Sequence, residues 1–283
     1  MFFKEFKSGI IITVIICLCT GLFSIAYHMG WLAQDSSLLG TIARGIYGPD
    51  VRQEMKRLRY VKEVTPEIPQ VTALCYHEVR PDREEDPLNV DPDQFRRHIR
   101  ELKRAGYSFI DIADLRLYMA GLAPLPEKAV LIAFDDGYAD NYDYAYPILL
   151  EEQVPGTFFV VSGTIGKDNR MTAAELREMQ ANGMEIGSHT VSHEDLADLS
   201  DEEIDFEMRA SKEQLEKMLG TSVYALAYPC GKVDEAVLDS VKKYYDMAFL
   251  ASVSPDKEQT VYTLQRYGVF SWNEHIESVF MNR

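Results

Sequence analysis

Basic residues are scarce in this 283-residue chain: 29 Lys and Arg stand against 45 Asp and Glu, a formal charge of −16. That balance repels anionic polymers, which argues against nucleic acid as a partner and leaves a neutral polymer, or a product that becomes cationic, compatible with the surface. Cysteine is sparse as well, with four in all. Cys17 and Cys19 lie in an apolar run, while Cys75 and Cys230 are single residues on or after strand-like runs. No disulfide framework is indicated, and Cys75 and Cys230 are expected to pack as buried thiols. Internal repeats and low-complexity tracts are absent.

Charge of either sign is missing from Ser8 to Gln34, and Ile10 to Ala26 is almost wholly apolar. Crossing a bilayer takes about 20 such residues. Residues 1–34 are therefore expected to form a cytoplasmic stub and a single transmembrane helix, anchoring the chain in the cell membrane. Lys4 and Lys7 ahead of the run place the remainder outside. Ser24-Ile25-Ala26 keeps a cleaved signal peptide, and hence secretion, as the alternative. Residues 35–70 read as an extracytoplasmic stalk, with a charged helical piece from Arg52 to Lys62 and prolines at 66 and 69 that break regular structure. Residues 71–283 are long enough for one large domain with its own core.

What that domain does contain is alternation. Strand-like runs fall at Val71 to Tyr76, Val130 to Phe134, Thr157 to Val161, Met184 to Gly187, Val223 to Tyr228, Met247 to Ser252 and Val261 to Val269. Helical patterns lie between most of them, at Pro92 to Ala105, Ile112 to Ala120, Asp140 to Gln153, Thr172 to Asn182, Asp201 to Leu219 and Glu235 to Tyr245. Asp91 before Pro92, and Thr172 with Glu175 three residues on, are helix-start signals. Strands alternating with helices imply an α/β fold with a parallel sheet, and about seven strands imply a distorted (β/α)7-type barrel with outer helices. A doubly wound open sheet is the alternative.

Two motifs close strand-like runs. Phe134-Asp135-Asp136-Gly137 ends the second, and Ser188-His189-Thr190-Val191-Ser192-His193 follows the fourth. Each has an ordinary reading: Asp-Asp-Gly suits a solvated turn, and a His pair four apart suits a surface helix. Their conjunction at the same strand ends is what distinguishes them, because sites of parallel sheets lie at those carboxyl ends. A divalent metal wants imidazole and carboxylate ligands, and Asp136, His189 and His193 can supply three while leaving a position open. The His spacing suggests a helical turn. Asp135 points away from its neighbour and is then free to act as a base.

With these motifs the chain resembles the polysaccharide deacetylases, the NodB-like carbohydrate esterases, from Val71 onwards. The resemblance implies that Asp135 is the catalytic base and that Asp136, His189 and His193 hold the metal, with zinc first and cobalt or nickel as alternatives. Leu74-Cys75-Tyr76-His77-Glu78-Val79, Phe134 to Tyr138, and Ala227-Tyr228-Pro229-Cys230-Gly231 are similar to the extracellular poly-β-1,6-N-acetylglucosamine deacetylases. In that branch the order of the barrel is permuted, and the leaving-group acid maps onto His77. Two departures stand out. The segment from Tyr224 to Gly231 lacks the arginine the family carries before its Pro-Tyr-Gly motif, and Cys230 replaces the tyrosine. Arg266 is expected to fill the first gap by holding Asp135 ionised. The Cys230 amide is expected to line the oxyanion hole in place of a phenol, with Tyr228 and Pro229 touching substrate.

The implied activity is removal of N-acetyl groups from N-acetylglucosamine units of an extracellular or cell-wall polysaccharide. Peptidoglycan and chito-oligosaccharide are alternative substrates, since the catalytic residues act on the acetamide and hardly report the linkage. A non-catalytic glycan-binding module and a small-amide amidase are the alternatives of other classes. Tyr138, Tyr142, Tyr146 and Trp272 are the aromatics that could line a sugar groove, whereas His98 and His275 read as structural.

Overall fold

The computed structural model describes residues 68–81, 86–252 and 259–280. The expected anchor, nearly all of the stalk and its Arg52–Lys62 helix lie outside the described residues. Among those described, no helix is long and apolar enough to cross a membrane.

Ten strands and seven helices follow in the order β1 (Thr72–Tyr76), β2 (Glu78–Val79), β3 (Asn89–Val90), α1 (Pro92–Arg104), β4 (Ser108–Ile110), α2 (Ile112–Met119), β5 (Ala129–Phe134), α3 (Tyr146–Glu152), β6 (Thr157–Val160), α4 (Ala173–Ala181), β7 (Glu185–Ser188), α5 (Asp201–Leu219), β8 (Ala225–Ala227), α6 (Glu235–Tyr244), β9 (Met247–Phe249), β10 (Arg266–Gly268) and α7 (Glu277–Phe280). The principal sheet runs β10-β1-β5-β6-β7-β8-β9 with every pairing parallel, and β4 pairs with the first half of β5, Ala129 to Leu131, ahead of the residues that pair with β6. Its two ends meet. Phe249 of β9 bridges in parallel to Leu264, two residues before β10, and Leu264 exchanges backbone hydrogen bonds with Ala248 and Leu250 at 3.0 and 2.8 Å. The result is a near-closed barrel built from the seven strands read in the sequence.

The pleat of each strand sorts residues into two cores. Ala73, Leu131, Ala133, Phe159, Ala225, Ala227, Met247, Phe249 and Leu264 pack inside the barrel. Leu74, Tyr76, Val130, Ile132, Phe134, Phe158, Val160 and Leu226 point outward under the helices. Burial on both faces is why these strands are nearly continuous apolar runs rather than alternating ones. A seven-stranded ring is narrow, so alanines at 73, 133, 225 and 227 leave room for two opposed rings, Phe159 and Phe249, 5.5 Å apart. Gly187 serves the same end. A Cβ there would come within 2.4 Å of the Phe159 ring.

The helix boundaries follow their caps. The Asp91 carboxylate accepts from the Asp93 and Gln94 amides ahead of Pro92, and Thr172 with Glu175 and Ser200 with Glu203 form reciprocal capping boxes. The Asp140 to Gln153 pattern instead divides into a wide π turn over Asn141–Ala145 and then α3. Pro147 explains the break, because it has no N–H to continue the regular ladder. The last strand is shorter than the Val261 to Val269 run suggests. Three very short strands, β2, β3 and β4, have too few residues to show a period.

Candidate metal centre and active site

The site sits where β1, β5 and β7 end, and Arg266, the first residue of β10, reaches into it. β5 closes on Phe134, and the next residues turn sharply: Asp136 and Gly137 both take left-handed backbone, with φ of 71° and 72°. At Gly137 this is demanding, since a side chain there would also press on Val160 at 3.0 Å. The turn sends the two aspartates in different directions. Asp135 faces the barrel axis, 2 % exposed, and Asp136 faces the loop after β7.

That loop is not helical. His189 follows β7 directly, and Thr190 and His193 are both left-handed, with φ of 64° each. The helical turn expected from the His spacing is therefore corrected to a folded loop. Its shape is imposed by α5. The Glu207 carboxylate accepts from the Val191 and Ser192 amides at 2.8 and 2.9 Å and from the Ser192 hydroxyl at 2.8 Å, while the Ser211 hydroxyl donates to the Thr190 carbonyl at 3.0 Å. The Thr190 hydroxyl accepts from the His193 amide at 3.1 Å. Glu207 and Ser211 escaped the sequence reading, although both interrupt the inward stripe Ile204, Met208, Leu215 of α5. A polar residue on such a stripe is the signal.

Three ligand atoms converge as a result. Asp136 Oδ1 lies 3.4 Å from His189 Nε2 and 3.2 Å from His193 Nε2. His189 is oriented from behind by its Nδ1, 2.8 Å from the Ala227 carbonyl, which leaves Nε2 for the site. Asp136 Oδ1 is buried and lacks a formed hydrogen bond. An oxygen and two imidazole nitrogens at this spacing suit a divalent metal, whose tetrahedral ligands at about 2.1 Å stand about 3.4 Å apart. The residues present thus fit the group. Burial would raise the Asp136 carboxyl, but the two histidines hold it far below the usual carboxylate range, and Asp136 in turn raises His193.

Asp135 has other neighbours. Arg266, fully buried on β10, grips it with two parallel bonds, Nη1 to Oδ1 at 2.6 Å and Nη2 to Oδ2 at 2.7 Å, while its Nε donates to the Leu250 carbonyl. The Cys75 thiol donates to Oδ2 at 3.4 Å. His189 Nε2 is 3.9 Å away. Burial alone would raise this carboxyl; Arg266 first, then His189, overcome it and bring it down to about 2. His77, just past β1, brings a ring nitrogen within 4.8 Å of ligand atoms of Asp135 and Cys75. Its Nδ1 is buried and unpartnered, its carbonyl is tied to the Asn141 amide at 2.7 Å, and burial lowers its pKa.

Other expectations need correcting. Cys230 is exposed rather than buried, on left-handed backbone with φ of 58°, while Cys75 is buried; both are free thiols. Tyr228 has no surface to offer substrate: it is wholly buried and its hydroxyl donates to the Tyr262 carbonyl at 3.0 Å. Pro229 is buried beside it. The tyrosine expected to touch substrate is thus a packing residue of the outer core. His98 is structural, held between the Tyr76 hydroxyl and the Asn273 carbonyl, and His275 pairs with Glu101 on the surface.

The barrel of parallel strands thus carries an Asp-His-His cluster able to hold a metal beside an arginine-held aspartate placed to act as a base, the layout of a hydrolytic site. A family profile described as polysaccharide deacetylase matches residues 123–247. The chain is 31% identical over 198 residues to YxkH of Bacillus subtilis (strain 168), covering 69% of this chain and 70% of that protein. It is 28% identical over 198 residues to a poly-beta-1,6-N-acetyl-D-glucosamine N-deacetylase of Staphylococcus aureus (strain MRSA252), covering 60% and 68%. Among solved structures, the Streptococcus pyogenes deacetylase PplD in complex with acetate superposes with a TM-score of 0.68 at 27% identity, over 74% of this chain and 96% of that one. IcaB from Ammonifex degensii, at 23% identity, shares the fold with a TM-score of 0.65 over 72% and 93%. The chain belongs to the polysaccharide deacetylase family, and it is an enzyme of that class.

Proposed function

We propose that this enzyme removes N-acetyl groups from N-acetylglucosamine units of an extracellular polysaccharide, using a divalent metal held by Asp136, His189 and His193. Zinc suits the oxygen and nitrogen donor set, with cobalt and nickel as functional substitutes. The observation that carries the proposal is the division between the two adjacent aspartates. One lies 3.4 and 3.2 Å from the two histidines; its neighbour is clamped by Arg266 and stands 3.9 Å from His189. A glycan-binding module has no use for a second, unliganded carboxylate buried at such cost.

Amide hydrolysis needs an activated water, a stabilised oxyanion and a protonated amine leaving group. When bound, the metal lowers the pKa of water and polarises the acetyl carbonyl. Asp135 takes the proton from the attacking water. Its two oxygens have about four acceptor sites between them, so the Arg266 and Cys75 contacts leave capacity for that bond. His77, with Nδ1 unpartnered, returns a proton to the amine nitrogen. Cys230 and its backbone N–H stand on the β8 rim as the proposed oxyanion contact. The S. aureus relative's name specifies poly-beta-1,6-N-acetyl-D-glucosamine, which makes that polymer the first substrate to test. The charge-free segment at residues 8–34 supports a membrane anchor that holds the domain outside the cell.

The test is acetate release from poly-N-acetylglucosamine, chitin oligomers and peptidoglycan side by side, before and after chelation. Release from the first that stops on chelation and returns with zinc, cobalt or nickel supports the proposal. Sugar binding with full metal content and no release from any of the three overturns it. Preference for peptidoglycan moves the substrate and keeps the chemistry.

A further inference from the structure

The most exposed aromatic side chain among the described residues follows the carboxyl end of β10, the strand that carries Arg266. Trp272 is 63 % exposed, the most open of the large apolar side chains among the described residues. Its ring stacks on Phe270, with centroids 4.7 Å apart and planes 14° from parallel. An exposed tryptophan normally gains by turning its ring inward. Here the turn that carries it is fixed in place by buried polar groups. The Gln94 amide donates to the Ser271 and Asn273 carbonyls at 3.1 and 2.9 Å, His98 Nε2 lies 2.6 Å from the Asn273 carbonyl, and Asn273 Oδ1 accepts from the Phe270 amide at 2.8 Å. The Ser271 amide donates to the Pro87 carbonyl at 2.9 Å, joining the turn to the loop before β3.

The direction of the stack follows from the pleat. Arg266, Gly268 and Phe270 occupy alternate positions, so all three face the side on which Arg266 meets Asp135. Gly268 confirms this, since a Cβ there would lie 3.0 Å from the Phe270 ring. The Phe270 ring lies over the glycine, and Trp272 stacks on that ring with its own side chain open to solvent. A flat, rigid, amphipathic shelf beside a deacetylation site suits the apolar face of a pyranose ring, which presents C–H groups to an aromatic plane. The surrounding acidity does not oppose a neutral sugar and favours one that has become cationic.

We propose that Phe270 and Trp272 form a sugar-stacking subsite that holds an N-acetylglucosamine unit neighbouring the one being deacetylated, and so give the enzyme its preference for chains over single sugars. This rests on the function proposed above. The test uses the full chain with Trp272→Ala and Trp272→Phe, a position too exposed for truncation to endanger folding. Acetate release is measured on N-acetylglucosamine oligomers of increasing length, and tryptophan fluorescence is titrated with the same oligomers after chelation. Expected for Trp272→Ala is about a tenfold rise in KM on the longer oligomers with kcat nearly kept, unchanged turnover of the shortest substrate, and loss of the fluorescence response, with Trp272→Phe restoring most of the KM. Equal chain-length dependence in wild type and Trp272→Ala overturns the subsite, as does an equal loss on every length. No acetate from any oligomer with the wild type would instead refute the function proposed above, and saturable quenching by long oligomers that Trp272→Phe removes would still uphold the subsite.

Discussion

At the residue scale the decisive pair is Asp135 and Arg266. Removing the carboxylate charge with Asp135→Asn keeps the shape and is expected to cut kcat at least about 100-fold while bound metal stays near wild type, measured by metal analysis beside acetate release. Arg266→Met should be worse for folding than for metal, because it strands a buried carboxylate; a loss of roughly 3–5 kcal/mol in denaturant unfolding is expected. The pH dependence has a definite sign. Asp135 titrates lower in the fold than in the unfolded chain, near 2. Its contribution to stability is therefore complete above the ordinary carboxylate range and is lost as pH falls from there through about 2. Unfolding midpoints measured from pH 7 down to pH 2 should fall, and the Asp135→Asn protein should lose less over the acid end. A wild type and variant that fall in parallel would show that the pair is not the source.

At the element scale the sequence was most legible where a local rule and the global fold agree. The Asp91 and Thr172 caps start their helices where they were expected, and each of the seven barrel strands overlaps a strand-like run, the last over only three of its residues. The aspartate and histidine motifs were legible as sites because each directly follows such a run. The loop from His189 to His193 was not, since its form depends on Glu207 accepting from it and Ser211 donating to it from another element, and no spacing rule encodes that. Tyr228 was misread for a related reason: a motif position says nothing about which face of the sheet its ring meets. Glu207→Gln is expected to weaken metal binding about 10- to 100-fold, the range for supports behind metal ligands, and competition with a chelator would measure it. Gly187→Ala tests the inner packing. Its methyl would collide with the Phe159 ring at 2.4 Å, and a loss of about 1–3 kcal/mol is expected by thermal or denaturant unfolding.

At the scale of the whole molecule, charge and closure dominate. With the uncharged polymer proposed as substrate, a chain at −16 gains nothing from long-range attraction, so initial rates should vary little between low and moderately high salt. A steep fall with salt would indicate a cationic substrate such as a partly deacetylated chain. The ring itself is closed by one parallel bridge, Phe249 to Leu264, immediately before the strand that delivers Arg266. Closing the barrel and neutralising Asp135 are consequently one event. A nascent chain that has already emerged with Asp135, Asp136, His189 and His193 still carries an uncompensated aspartate in an open sheet. The closed ring and the paired base are therefore completed together, by the strand that carries Arg266.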